Sequence, residues 1–483
     1  MKVLFVYHNE LEEGFMPASI SSLGGITRDL NVESKLFDTS FWKDKDSNIP
    51  ENDRQVRERT GEVKRVEGFD LERETIDIKE RFYKTVEEYH PDLIAATSTS
   101  YEFDSLVDFI LPAKTIFNIP LIIGGAHPTV APERAINKEG VDMICRGEGE
   151  IAFSELLKRM EKGEDFYDIQ NLWIKKDGRI IKNKIGNLIE MDNLPIPNWD
   201  LFDERHRMRP FEGELKNYGF FEISRGCPYS CSYCVNSKIH KIYKESEINS
   251  GVYRFHSPSE VIQRMKKFKE KYGFNHIQLV DENLTVMPLS NLESLAEMYI
   301  QEIGVGFFTM GRPETIVNHP KKAELLAKMG CRMFALGAES GSETLRKEIL
   351  NRPMKNETLE EAAKILKENG ILVSLYNIIG FPTETKSMIF DTIRLNRRIQ
   401  PDRYSVRFLV PYPGTDIRSY CVDKGYLEEN YENQRKMVSF LIEPILDLPS
   451  PPHPTKQELI EIKNNFGNYI HMSEEEFEKI RKY

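Results

Sequence analysis

The chain has 483 residues, 40% hydrophobic and 30% charged, a balance typical of a globular protein of about two to four units at roughly 150 residues each. Lys and Arg number 66 against 77 Asp and Glu, a net charge of −11 with no long basic run, which argues against a nucleic-acid partner. No stretch approaches about 18 consecutive apolar residues, so no membrane span is expected.

The apolar run at the start, Val3–Val6, is too short for a signal peptide and reads as a first strand. With few cysteines besides, a reducing, cytoplasmic location is expected. Val32–Phe37, Asp92–Thr97, Leu121–Ile123 and Val141–Cys145 are further short apolar runs, separated by helical patterns such as Ala18–Leu30 and Phe103–Ile116. This alternation predicts βαβ units in a doubly wound, Rossmann- or flavodoxin-like parallel sheet over residues 1–165. Ligands of such sheets bind beyond the carboxyl ends of the strands. Between Lys43 and Tyr89 lies a charge-dense insertion that reads as a solvated excursion.

Leu172–Lys175 and Arg179–Ile181, joined through Asp177-Gly178, read as a hairpin. Pro195, Pro197 and Trp199 mark an extended linker, and hairpin and linker together take residues 166–215. From 216 to 415 a strand-then-helix unit repeats, with strands at Phe220–Ser224, His276–Val280, Gly304–Met310, Met333–Leu336, Val373–Ile379 and Tyr404–Val410. Ser257 is placed to cap one helix, and Gly330 and Gly370 to stop two others. Six units predict a partial (β/α)6, TIM-like barrel. Residues 416–483, broken at Pro451-Pro452-His453-Pro454, read as a helical extension without assignable chemistry.

The most telling run is Gly226-Cys-Pro-Tyr-Ser-Cys-Ser-Tyr-Cys-Val235, which sets Cys227, Cys231 and Cys234 in C-x3-C-x2-C spacing just after a strand. A zinc site would show paired C-x2-C or C-x2-C…H-x3-H ligands, and a disulfide framework needs more cysteines and an oxidising compartment. Cys145, Cys331 and Cys421 stand alone as small buried hydrophobes. Three thiolates on a [4Fe–4S] cubane leave one iron open to another ligand, so the loop reads as a reaction centre.

Active residues of βα barrels sit at the carboxyl ends of the strands. There the chain reads Asp281-Glu282-Asn283, Arg312-Pro313-Glu314, Gly337-Ala338-Glu339-Ser340-Gly341, Gly380-Phe381-Pro382-Thr383-Glu384 and Pro411-Tyr412-Pro413-Gly414-Thr415. A ring of carboxylates and glycine turns facing one mouth suits a zwitterionic, cationic ligand. Arg312 and Ser340 join the candidate contacts.

The cysteine motif, with Tyr233 before its last cysteine, resembles that of the radical S-adenosylmethionine (SAM) enzymes. In that family the open iron is chelated by the amino and carboxylate groups of SAM, and an electron from the cluster cleaves the sulfonium to a 5′-deoxyadenosyl radical. The resemblance covers roughly 200 residues. It implies that Asp281 or Glu282 binds the amino group, that Glu339 contacts the ribose, and that the Gly380 turn and the backbone around Tyr233 meet the adenine.

The N-terminal part resembles the cobalamin-binding domain found upstream of many such barrels. The matching pieces are Gly124-Gly125-Ala126-His127-Pro128-Thr129 and Gly147-Glu148-Gly149-Glu150, and Ser98, Thr99, Gly124 and Gly125 would let a flat corrin approach the backbone. The Asp-x-His-x-x-Gly signature is absent; strand one runs into Tyr7-His8-Asn9-Glu10-Leu11-Glu12-Glu13-Gly14. Either cobalamin binds without a protein histidine on cobalt, the option carried forward, or the domain no longer binds it. His8 and His127 read as loop hydrogen-bonders, His127 beside the ligand.

The resemblance implies a cobalamin-dependent methyltransferase acting on an unactivated carbon of an organic substrate (a small molecule, lipid or peptide). The reducing electron would come from a donor such as flavodoxin or ferredoxin. A cyclase, ring-rearranging enzyme or oxidase with the same cofactors is the alternative, and a non-catalytic sensor a remote one.

Overall fold

The computed structural model describes residues 1–9, 16–46, 53–64, 66, 74–248, 253–431 and 442–481; the run Glu10–Gly14 lies outside them. The first sheet holds β1 (Lys2–Tyr7), β2 (Glu33–Asp38), β3 (Leu93–Thr97), β4 (Leu121–Gly124), β5 (Met143–Cys145), β6 (Leu172–Lys176) and β7 (Arg179–Lys182). Their order is β2-β1-β3-β4-β5-β6-β7, parallel through β5 and antiparallel beyond it. Buried strands need apolar side chains on both faces, and β1 supplies Val3, Leu4, Phe5 and Val6, all at 1% exposure or less. Helix α1 (Ala18–Asp29) packs on one face and Phe82, Phe103 and Ile110 on the other.

One expected boundary moves. The hairpin turns at Asp177 and Gly178, both at positive φ as a primed turn requires. It does not stand apart in a linker: β6 pairs with β5 and covers what would be a bare sheet edge.

The second sheet holds β8 (Met208–Phe211), β9 (Glu214–Phe221), β10 (His276–Leu279), β11 (Phe307–Gly311), β12 (Cys331–Glu339), β13 (Leu372–Ile379) and β14 (Arg403–Phe408), in that order. β9 to β14 are parallel with helical crossovers, the six expected units, and β8 adds an antiparallel edge from what reads as linker. Ser257 accepts from the Glu260 amide at the start of one crossover helix, and Gly330 ends another at φ 97°. The sheet curls without closing. In the C-terminal extension, helix Lys456–His471 packs on Lys386–Ile399 beside β14 through Phe466, Ile462 and Phe390.

The insertion after Lys43 is more than a solvated excursion. Thr60 and Glu62 are buried against the barrel edge, where the Thr60 carbonyl accepts from the Tyr404 hydroxyl at 2.9 Å and Glu62 pairs with Arg407 at 2.7 Å. Charges read as solvated locally are neutralised by partners more than 300 residues away.

The Pro-Trp linker crosses α1 at a close approach. The Asn198 amide donates to the Ser21 carbonyl at 2.8 Å, Arg28 donates to the Ile196 carbonyl at 2.9 Å, and a Cβ on Gly25 would lie 2.3 Å from that carbonyl oxygen. Gly25→Ala must push linker and helix apart. It is expected to cost about 1–3 kcal/mol, read as a lower melting temperature.

Candidate active site

The cysteine loop leaves β9 and is pinned at once. Asp281, at the end of β10, accepts from the Ile223 and Ser224 amides and the Ser224 hydroxyl, and burial pushes its pKa up to about 7. Gly226, at φ 87°, turns the chain and donates its amide to Glu282 at 3.2 Å. Downstream, the Ser232 amide donates to the Leu350 carbonyl at 3.0 Å, the Ser232 hydroxyl to Ile349, and Asn351 to the Ser230 carbonyl. Cys234 caps helix α2 (Val235–Glu245), so its sulfur sits near the positive end of a helix dipole.

Among the described residues no three ligand-type side chains converge tightly enough for a single metal ion. Burial lifts the Cys234 pKa to about 11, and the Cys231 and Cys227 thiols lie close enough to add to that rise. Three thiols on one short loop fit a cubane, in which each sulfur takes a different iron. The charge environment fits as well: the Arg312 guanidinium lies 3.4 Å from the Cys231 sulfur and that of Arg352 4.0 Å from it. Arg312 also stacks on Tyr229 and is held by Glu314. Arg352 is buried and donates to the Gly337 carbonyl at 2.6 Å. Sequence reasoning missed Arg352, for nothing local marks an arginine 121 residues beyond the cysteine it faces.

Beside the thiols lies the end of β12. Glu339 is buried with φ 60°, a left-handed conformation rare outside glycine and a pointer to function. Its carboxylate folds back so far that a Cβ on Gly337 would lie 2.3 Å from it. Burial raises its pKa against the opposing pull of Arg352 and the Tyr233 hydroxyl. Tyr233 in turn meets Phe381 edge-on at 6.4 Å, joining the cysteine loop to the Gly380 turn. Glu384 builds that turn by accepting from the Gly380 and Phe381 amides at 2.7 and 3.2 Å. Ser340 is not brought to this mouth: it is fully buried, its hydroxyl 3.4 Å from that of Thr392 and accepting from the Ser342 amide.

Between the first sheet and the barrel mouth runs a slot of about 290 Å³. Ala95, Ala96, Gly124, Gly125, Gly147 and Gly149 line the sheet side, where larger side chains would fill it. Gly125 has φ 99° and would set a Cβ 2.7 Å from the Ser98 carbonyl, so only glycine fits. From the barrel side α2 presents Asn236, Ile239, His240 and Tyr243, one helical face. The cradle of small residues fits a flat ring system. His240 was also missed; burial lowers its pKa, and its Nε2 is buried with no hydrogen-bond partner.

Three expected contacts in this region are otherwise engaged. His127 is fully buried outside the slot, in the short helix Ala126–Val130 rather than a loop, bonded to Ser100 at 2.9 Å and packed on Phe103, with burial lowering its pKa to about 3. Ser98 donates its hydroxyl to the Thr99 carbonyl and lies behind the slot wall. Glu148 lines the slot but is held by Arg254, by Arg225 at 3.6 Å and by the Ile189 amide.

A three-cysteine loop on an open βα barrel, facing a slot at the carboxyl edge of a doubly wound sheet, defines an iron–sulfur enzyme with a second, planar cofactor. Residues 221–395 match the Radical SAM superfamily and residues 55–157 the B12 binding domain. The chain belongs to the radical SAM enzymes that carry a cobalamin-binding domain, and its cofactors are a [4Fe–4S] cluster, SAM and cobalamin. It is 26% identical over 369 residues to an uncharacterized methyltransferase of Pyrococcus horikoshii, covering 76% of each chain. To the anaerobic magnesium-protoporphyrin IX monomethyl ester cyclase of Rubrivivax gelatinosus it is 24% identical over 341 residues, 69% of this chain and 59% of that one. The fold superposes on the radical SAM methyltransferase TsrM of Kitasatospora setae, solved with cobalamin and a [4Fe–4S] cluster, at a TM-score of 0.61 and 17% identity, covering 87% of this chain and 78% of that one. Enzymes of this family use an organic substrate and an external reductant. No helix of the described residues is long and apolar enough to cross a membrane.

Two outcomes follow from the geometry. Burial lifts Glu384 to about 8 from an ordinary 4.5, so the native carboxyl keeps its proton over a range where the unfolded chain has lost it. Stability therefore falls as pH rises from about 4.5 to about 8. Glu384→Gln keeps the acceptor for both amides but cannot ionise, and urea melts at about pH 6 and about pH 9 should show a smaller loss than in wild type. Arg352→Gln and Arg312→Gln each withdraw positive charge from Cys231, and in anaerobically reconstituted protein each should lower the cluster midpoint potential in an EPR-monitored titration.

Proposed function

We propose that the protein is a methyltransferase that places a methyl group on an unactivated carbon of an organic substrate. The observation that carries this reading is the shared wall: α2 starts at Cys234 and presents His240 and Tyr243 to the slot, so both cofactor sites open on one helix. When bound, the cluster supplies the electron that cleaves SAM, and cobalamin carries the methyl group.

In this reading Cys227, Cys231 and Cys234 hold three irons. Glu282, rather than Asp281, faces the ligand: the Asp281 oxygens are taken up by Ile223 and Ser224, whereas Glu282 lines the slot mouth. Glu339 holds the ribose, and Tyr233 and the Gly380 turn flank the base. Tyr243 and the glycines of the sheet edge clamp the corrin, with neutral His240 turned towards it. Flavodoxin or ferredoxin would deliver the electron in the cytoplasm, where the six free cysteines stay reduced.

The likeness to the cyclase supports a second reading, radical chemistry without methyl transfer. Product mass separates the two: a gain of one CH2 per turnover is expected, and an unchanged or hydrogen-depleted carbon skeleton would favour the cyclase reading. Cys227→Ser, Cys231→Ser and Cys234→Ser should each lose cluster iron and 5′-deoxyadenosine formation, while Cys331→Ala and Cys421→Ala keep both. Retention of both by any variant of the trio would remove the basis of the proposal.

A further inference from the structure

Closed βα barrels fill their interior with layers of side chains. Here the lumen of the second sheet is a cavity of about 1120 Å³. It runs from Leu372 to Ile378 along β13, about 20 Å at about 3.3 Å per residue, and reaches Tyr233 and Glu339 at the cofactor end. A chamber of this size, open to solvent, has room for a substantial ligand.

The walls specify what fills it. The strands alternate, and their inward positions include Tyr218, Phe220, Phe308, Met310, Met333 and Tyr376. Charged side chains line it as well: Glu62 pairs with Arg407 at 2.7 Å and lies 3.9 Å from Arg57, and Arg54, Lys64, Arg209 and Arg403 also face the cavity. A polar group left for a ligand is the Ser374 hydroxyl, buried towards the far end with no hydrogen-bond partner. Aromatic and thioether side chains along the middle, a length far exceeding one ring, and polar groups at the base, where Ser374 stands level with Arg403, match a long chain with a polar head.

We infer that the substrate is a long-chain aliphatic lipid, its chain along the lumen and its reacting carbon at the Tyr233–Glu339 end. This rests on the catalytic reading above and narrows its substrate class.

The test uses full-length holoenzyme, reconstituted with cluster and cobalamin and saturated with SAM, in anaerobic equilibrium dialysis against geranylgeraniol, tryptophan and protoporphyrin IX. Geranylgeraniol is expected to bind saturably, one per chain, and the other two not. Met333→Trp and Ser374→Phe fill the lumen and should weaken that binding at least tenfold with iron and cobalamin content retained. Ser374→Ala should keep it within a few-fold. Should one filled variant fail to fold, the other carries the comparison. Saturable binding of tryptophan or protoporphyrin IX alone, or geranylgeraniol binding that ignores both fillings, overturns the inference. Formation of 5′-deoxyadenosine is followed separately. Its absence would count against the catalytic reading, whereas a SAM-cleaving enzyme that does not hold geranylgeraniol loses only the lipid assignment.

Discussion

One guanidinium joins the two halves of the site. Arg225, two residues before Cys227, is 2.7 Å from Glu150, 2.9 Å from Glu222 and 3.6 Å from Glu148. Glu148 and Glu150 come from the glycine-rich turn of the first sheet, and Glu222 from the end of β9. Buried ions cost several kcal/mol each to desolvate, so such a knot holds only when every member keeps a partner. Arg225 cannot neutralise them all. Its field holds Glu150 below the ordinary carboxylate range, while burial pushes Glu222 and Glu282 above it. The surplus of negative potential faces the place where a sulfonium and an ammonium would lie. Arg225, with Arg254 on Glu148, therefore sets the spacing between slot and cysteine loop, and the remaining deficit of positive charge readies the mouth for a positive ligand.

What could be read from the sequence was whatever local pattern encodes. Strand-and-helix alternation marks the five parallel strands of the first sheet and the six of the second, because each buried strand must be apolar along its own length. The Asp177-Gly178 turn and the glycine helix stops are legible for the same reason, since a positive φ leaves its mark on one residue. The cysteine spacing is legible because a cluster needs its thiols on one short loop. Glu339 stands out at a strand end, and its unusual φ falls where the register shifts between Gly337 and Glu339.

The rest depends on what meets across distance. Arg352 and His240 carry no pattern of their own; they gain meaning from Cys231 and from the slot wall. His127 and Ser340 look like exposed loop polars, yet packing against Phe103 and Thr392 buries them. The hairpin reads as independent because nothing in Leu172–Lys176 announces that β5 has a free edge to offer.

The open side of the barrel shows why the charge-dense insertion exists. β8 and β14 are the edges of the curled sheet and do not pair with each other. Instead Tyr404 of β14 sends its hydroxyl to the Thr60 carbonyl, and a Cβ on Gly467, in the helix Lys456–His471, would lie 2.2 Å from that hydroxyl. Segments around residues 60, 404 and 467 thus meet at one oxygen, and Glu62 is held beside it by Arg407 and Lys463. A ladder of strand hydrogen bonds would have closed the lumen permanently. Closure by a few side-chain contacts leaves a seam that parts at the cost of those contacts alone, with every strand pairing intact. Under the proposed chemistry, a chamber that admits its substrate and then shields a radical from water is served by a seam of that kind.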